Sequence, residues 1–174
     1  DIYVTGNTVI DALQISSERV KDIKPDIVGI GNYEDLEKLQ PFILITGHRR
    51  ENFGEGFINI CKAIKELSNK FKNFNFIYPV HLNPNVQKPV QNILGDIENV
   101  YLTEPQSYLP FVKLMMSSYL ILSDSGGVQE EAPSLGKPVL VMRENTERPE
   151  GIESGTVKLV GVTTESIVKE VENL

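Results

Sequence analysis

Tyr119-Leu120-Ile121-Leu122-Ser123, followed at once by Asp124-Ser125-Gly126-Gly127-Val128-Gln129-Glu130-Glu131-Ala132, reads as a buried strand running through small residues into a helix. The first run is apolar without alternation, as in a strand covered on both faces. The helix ends at Gly136-Lys137-Pro138. Small residues at the turn let a ligand approach the backbone, and the free N–H groups of the first helical turn face an anion such as a phosphate. Glu131 lies about one turn into that helix, where its carboxylate can accept hydrogen bonds from vicinal hydroxyls such as those of a ribose. Diphosphate at the helix end and sugar one turn on is the layout of a nucleotide-sugar site. A tight connection with no ligand has the same local sequence, so the rest of the chain has to discriminate.

Working outward, strands and helices alternate. Phe42–Thr46 is a continuous apolar strand, and Phe57–Phe71 a helix with Ile60, Ile64, Leu67 and Phe71 on one face. Phe74–Val80, Val100–Thr103, Pro138–Met142 and Val157–Val160 read as further strands. Helices are expected over Asn85–Leu94, Tyr108–Ser117, Gly127–Leu135 and Thr164–Val171. Pro84 suits a first helical turn, whereas Pro89 is out of place in a helix interior. Ahead of this block, Ile2–Thr5 is strand-like and Gly6-Asn7 a turn. Thr8 to about Val20 has helical spacing through Val9, Ile10, Leu13 and Ile15, and Lys21–Gln40 reads as a connection with little structure of its own. The alternation predicts an α/β fold, a doubly wound parallel sheet of Rossmann type, with ligands bound beyond the carboxyl ends of the strands.

The chain has 174 residues, enough for one domain with a sizeable core, and 40% hydrophobic with 24% charged residues is ordinary for a globular protein. A net charge of -7 without a long Lys/Arg run argues against a nucleic-acid or anionic-membrane surface. No apolar run approaches the roughly 20 residues of a membrane span. The single cysteine, Cys61, sits in an amphipathic helical pattern as a small core residue; it excludes an intrachain disulfide and favours a reducing compartment. The opening Asp1-Ile2-Tyr3-Val4-Thr5-Gly6-Asn7 has no Met and reads like mid-protein sequence, an expectation that the chain is part of something longer.

Polar clusters follow several strands at the same end. Thr46-Gly47-His48-Arg49-Arg50-Glu51-Asn52 is the densest. It lacks the Gly-Lys-Ser/Thr of a P-loop. His48 can donate to a phosphate or exchange a proton with a leaving group. Adjacent Arg49 and Arg50 diverge, one free to face the crevice while the other pairs with Glu51 or another carboxylate. His81, in Pro79-Val80-His81-Leu82-Asn83-Pro84, suits ligand contact and helix capping equally. Two His and one Cys give no metal-type spacing, so no metal is expected. In Glu104-Pro105-Gln106-Ser107-Tyr108-Leu109-Pro110-Phe111, Ser107 is a plausible N-cap, and Gln106 with the Phe111 backbone is suited to the edge of a flat heterocycle, unless Phe111 is only core. Arg148, in the charged loop Arg143–Gly151, is suited to a diphosphate.

Together these segments resemble the non-hydrolysing UDP-N-acetylglucosamine 2-epimerases. The motifs that carry the resemblance are Thr5-Gly6-Asn7, Gly47-His48-Arg49-Arg50-Glu51-Asn52, His81-Leu82-Asn83-Pro84, Pro105-Gln106-x-Tyr108-x-Pro110-Phe111, Asp124-Ser125-Gly126-Gly127-x-Gln129-Glu130-Glu131 and Arg143-x-x-Thr146-Glu147-Arg148-Pro149-Glu150. The resemblance implies the carboxyl-terminal half of a two-domain GT-B fold. Residues 1–40 would be an interdomain lead-in (strand, helix, connection) and 41–174 the UDP-binding Rossmann-like domain, with the amino-terminal domain and last helices outside this chain.

By the same resemblance, Ser125, Gly126 and Gly127 would hold the diphosphate, Glu131 the ribose, and Gln106 with Phe111 the uracil. Arg148 would lie near UDP, and His48 would assist its departure and return. Arg49 and His81 match positions implicated in binding a second, activating UDP-GlcNAc. The implied reaction interconverts UDP-GlcNAc and UDP-ManNAc by anti elimination of UDP to 2-acetamidoglucal and re-addition, without a cofactor. It would take place in the cytoplasm, in supply of cell-envelope polysaccharide, in a full-length homodimer that binds neither nucleic acid nor membrane. The fragment alone is expected to be inactive. Rival readings are a hydrolysing epimerase releasing UDP and ManNAc, a GT-B glycosyltransferase, and a non-catalytic nucleotide-binding module.

Overall fold

The computed structural model describes residues 1–3, 6–153 and 155–174. The chain begins with helix α1 (Thr8–Ile23) and the short α2 (Tyr33–Lys38). Strand β1 (Phe42–Thr46) leads through a 3-10 turn, Arg50–Asn52, into α3 (Glu55–Lys70). The alternation continues through β2 (Asn75–Pro79), α4 (Pro84–Leu94), β3 (Val100–Thr103), α5 (Tyr108–Ser117), β4 (Leu120–Ser123) and α6 (Gly126–Ser134). It ends with β5 (Val139–Val141), α7 (Pro149–Glu153), β6 (Val157–Leu159) and α8 (Thr164–Glu172).

The strands form one parallel sheet in the order β3-β2-β1-β4-β5-β6. The sequence reading of a doubly wound Rossmann-type sheet therefore holds. Strand order reverses between β1 and β4, and neighbouring connections leave in opposite directions there, which opens a crevice at their carboxyl ends. Thr46 and Ser123 end these two strands in register, and their hydroxyls hydrogen-bond at 2.6 Å.

The continuous apolar strands serve two cores. In β1 all five residues are buried. Ile43 and Ile45 pack with Phe57, Ile60 and Ile64 of α3 on one face, while Phe42 and Leu44 pack with Leu13 and Val20 of α1 and Val112 of α5 on the other. Each such fully buried side chain contributes about 1.5–3 kcal/mol relative to exposure. The same packing explains α4. Pro89 cannot donate to the carbonyl four residues back, yet Val86, Val90 and Leu94 lie on one buried face and hold the helix in place.

The first forty residues depart most from the sequence reading. Ile2 and Tyr3 carry no strand and are 97% and 79% exposed, while Val4 and Thr5 lie outside the described residues. In α1 the buried face is Leu13, Ser16 and Val20, whereas Val9 and Ile15 are exposed. The helix is set against α5 and α6, and only the side chains facing them are covered. The stretch expected to be unstructured contains α2, opened by a capping box in which the Asn32 side chain accepts from Glu34 and Asp35 N–H and Asp35 accepts from Asn32 N–H. Its Leu36 and the nearby Ile27 belong to the second core. A second addition is α7, which begins at Pro149, where the loop after β5 was expected to continue. Among the described residues no helix is long and apolar enough to cross a membrane.

Candidate functional site

At the carboxyl ends of β1 to β4 lies a cleft of ≈ 270 Å³ whose walls include His48, His81, Gln106, Phe111, Ser125, Gly127 and Glu131. Seven of the residues singled out from sequence thus converge. Its floor is the amino end of α6, with Ser125 as N-cap. The Ser125 hydroxyl makes no capping bond, and the first intrahelical bond runs from Gln129 N–H to the Ser125 carbonyl. The N–H groups of Gly126, Gly127 and Val128 precede that bond at the open end of the helix.

The turn after β1 is organised by Asp124, which is fully buried. Its carboxylate accepts from His48 N–H at 2.9 Å, Arg49 N–H at 2.9 Å and the Asn52 amide at 3.2 Å. Burial pushes the Asp124 carboxyl above its ordinary range, and these donors together with His48 oppose the shift. His48 Nδ1 lies 3.8 Å from Asp124 Oδ1, and its ring stacks on His81 with centroids 5.0 Å apart and planes 7° from parallel. His81 Nδ1 in turn accepts from Asn83 N–H at 3.1 Å, at the N-cap of α4. His81 thus lines the cleft and also supports the N-cap residue of α4. Nothing local in the sequence assigns Asp124 this role; its position between the buried strand β4 and Ser125 is the available signal.

Two of the side chains expected to contact a ligand are engaged within the chain. The Gln106 amide is engaged by the main chain of Val28: its Nε2 donates to the Val28 carbonyl, and its Oε1 accepts from Val28 N–H, both at 3.0 Å. It fixes the loop before α2 while lining the cleft. Arg148 forms an ion pair with Glu130 and does not line the cleft. Glu130 also accepts from the Asn7 amide at 2.9 Å.

Arg49 is the paired member of the Arg49/Arg50 couple, and Arg50 is exposed. Arg49 meets Glu147 at 2.8 Å and Glu51 at 3.6 Å; Arg143 meets the same two carboxylates at 2.7 and 2.6 Å, closing a four-membered ring of charges. Gly126 sits under this ring. A Cβ there would lie 2.8 Å from Glu147 Oε1, so the missing side chain makes room for Glu147. Hydrogen bonds from its own main chain and from Arg143 hold the Glu147 carboxyl down at about 2.

Glu131 is half-buried, and burial pushes its carboxyl up. The Tyr108 hydroxyl donates to its Oε1 at 2.8 Å. Phe111 lines the cleft while packing against the second core, so it is both wall and partly core. Among the described residues no group of three His, Cys, Asp or Glu converges as a metal site.

The sheet order, the helix end and the half-buried carboxylate one turn on form one crevice at the carboxyl ends of the strands. A family model, that of UDP-N-acetylglucosamine 2-epimerase, matches residues 1–174. The chain belongs to the UDP-N-acetylglucosamine 2-epimerase family. It is 54% identical over 177 residues to the UDP-N-acetylglucosamine 2-epimerase of Campylobacter jejuni, covering 99% of this chain and 46% of that protein. A solved structure of the Neisseria meningitidis UDP-GlcNAc 2-epimerase bound to UDP-GlcNAc is similar with a TM-score of 0.88 and 54% identity, over 98% of this chain and 46% of that one. The Methanocaldococcus jannaschii UDP-GlcNAc 2-epimerase in complex with UDP-GlcNAc and UDP is similar at 33% identity and a TM-score of 0.78, over 99% of this chain and 47% of that one. The chain thus spans about half the length of the family members it matches.

Proposed function

We propose that this chain is the UDP-binding half of a UDP-N-acetylglucosamine 2-epimerase that interconverts UDP-GlcNAc and UDP-ManNAc. The observation that carries the reading is the convergence of Ser125, Gly127 and Glu131 with His48 around the open amino end of α6. The helix end and the Ser125 hydroxyl hold the diphosphate, and Glu131 accepts from the ribose hydroxyls. Gly126 keeps that helix end accessible to Glu147. Gln106 acts at the base end by fixing the Val28 main chain, beside Phe111. Arg148 and Arg49 reach a ligand by exchanging Glu130 and Glu147 for its phosphates, and His81 stacks behind His48. In domain terms, residues 41–174 carry the nucleotide and 1–40 lead into them.

In the reaction a base removes the C2 proton while the C1–O bond breaks and its electron pair leaves with the β-phosphate oxygen of UDP, giving 2-acetamidoglucal. UDP then adds back at C1, and a proton is delivered to the opposite face of C2. His48, at the diphosphate end, stabilises the charge that develops on the departing oxygen and returns it. The carboxylates acting at C2 come from the other half of a two-domain protein. The present chain alone is therefore inactive, and the complete protein is a cytoplasmic homodimer.

Calorimetric titration with UDP tests the reading. The chain binds UDP, and Glu131→Ala lowers the affinity by at least about tenfold, the loss of a hydrogen-bonded charged acceptor. Undiminished binding by that variant would remove Glu131 from the nucleotide site. In the two-domain protein in deuterated water, UDP-ManNAc carrying deuterium at C2 is the expected product. Free ManNAc with UDP would favour the hydrolysing alternative.

A further inference from the structure

We propose that Tyr108 is the positioning residue that sets ribose recognition at Glu131, an inference that rests on the nucleotide reading of the cleft. Tyr108 opens α5, and its hydroxyl crosses to α6 to donate to Glu131 Oε1 at 2.8 Å. The second oxygen, Oε2, lies 4.0 Å from where a Cβ on Gly127 would stand, on the side of the helix end and the cleft. The phenol thus engages one carboxylate oxygen and leaves the other turned toward the helix end, where a sugar next to a helix-bound diphosphate has to lie.

Packing does not account for the phenol. Tyr108 is 43% exposed and belongs to neither core cluster among the described residues. Its hydroxyl is also a steady donor, because burial and Glu131 push the phenol up to about 12. That donation opposes the upward push of burial on the Glu131 carboxyl, which favours the ionised, acceptor-only form that hydroxyl recognition needs. Holding the long Glu side chain in one rotamer beforehand also removes an ordering cost from binding.

The test compares UDP with 2′,3′-dideoxy-UDP on the wild-type protein and on Tyr108→Phe, each by calorimetric titration. The wild type prefers UDP. The variant loses about ten- to a hundredfold in affinity for UDP, as for one hydrogen bond to a charged group, and nothing for the dideoxy nucleotide, so the preference shrinks by that factor. A merely structural role for Tyr108 would weaken both ligands alike. Equal weakening, or a preference that survives the substitution, overturns the assignment of Tyr108 while leaving Glu131 as the ribose carboxylate. A wild type that does not distinguish the two nucleotides, or binds neither, overturns the ribose reading and this inference with it.

Discussion

Asp124 shows how one side chain converts strand order into a working turn. β1 and β4 are neighbours in the sheet, and the residue after β4 reaches across to the turn after β1. Three donors converge on its Oδ2, and Oδ1 accepts a longer branch from the His48 N–H at 3.2 Å. An asparagine with its oxygen at that place keeps an acceptor for all three but loses the charge, and its NH₂ would face the His48 N–H. Asp124→Asn is expected to lower unfolding stability by about 1–2 kcal/mol, from hydrogen bonds that lose their charged acceptor and one N–H that faces an NH₂, read as a shifted urea midpoint. Its UDP affinity falls as well, because the anchor of the His48 main chain weakens. A variant as stable as wild type would show that the turn holds itself. The sequence made His48 and Ser125 legible because a polar residue just past a buried strand has few places to go. It left Asp124 without a role, since no local pattern says which main chain a buried carboxylate will meet.

Between elements, the connections that matter are polar and distant. The Arg49–Glu147–Arg143–Glu51 ring ties the turn after β1 to the loop after β5 over the amino end of α6. Glu147 is held below its ordinary value of 4.5 at about 2, so its ionised form favours the fold. That contribution is complete above the ordinary value and is lost as pH falls through about 2. Glu147→Gln should therefore lose less stability than wild type between these limits, measured by thermal unfolding across the acid range; parallel profiles would mean that the ring adds nothing to the fold. The strands and core helices were legible because burial on two faces writes an uninterrupted apolar run, as in Phe42–Thr46. The pairing of Arg148 with Glu130 and of Gln106 with Val28 was not. Long exposed side chains choose partners according to which loops the finished sheet brings together, and these loops are far apart in sequence. The helix α2 was legible in principle, since Asn32 and Asp35 have capping-box spacing, but the surrounding glycines read more strongly as a connection.

At the scale of the whole molecule, the first forty residues are bound to the sheet through a shared core and a few polar ties. Leu13, Val20, Ile27 and Leu36 pack with strand residues, and Asn7 reaches Glu130 on α6. That last bond closes a loop of 123 residues. Contacts across such a span form only after most of the sheet has assembled, since chain closure costs entropy that only native packing offsets. The Asn7–Glu130 tie thus belongs to the late side of the folding barrier and acts as a latch on the completed structure. Asn7→Ser keeps a residue able to cap α1 while removing the amide donor. It should speed unfolding several-fold, on the order of the loss of one hydrogen bond, and leave the folding rate unchanged. A slowed folding limb in stopped-flow chevrons would place the tie before the barrier instead. The time the native state persists, more than how readily it forms, is then what the beginning of the chain controls.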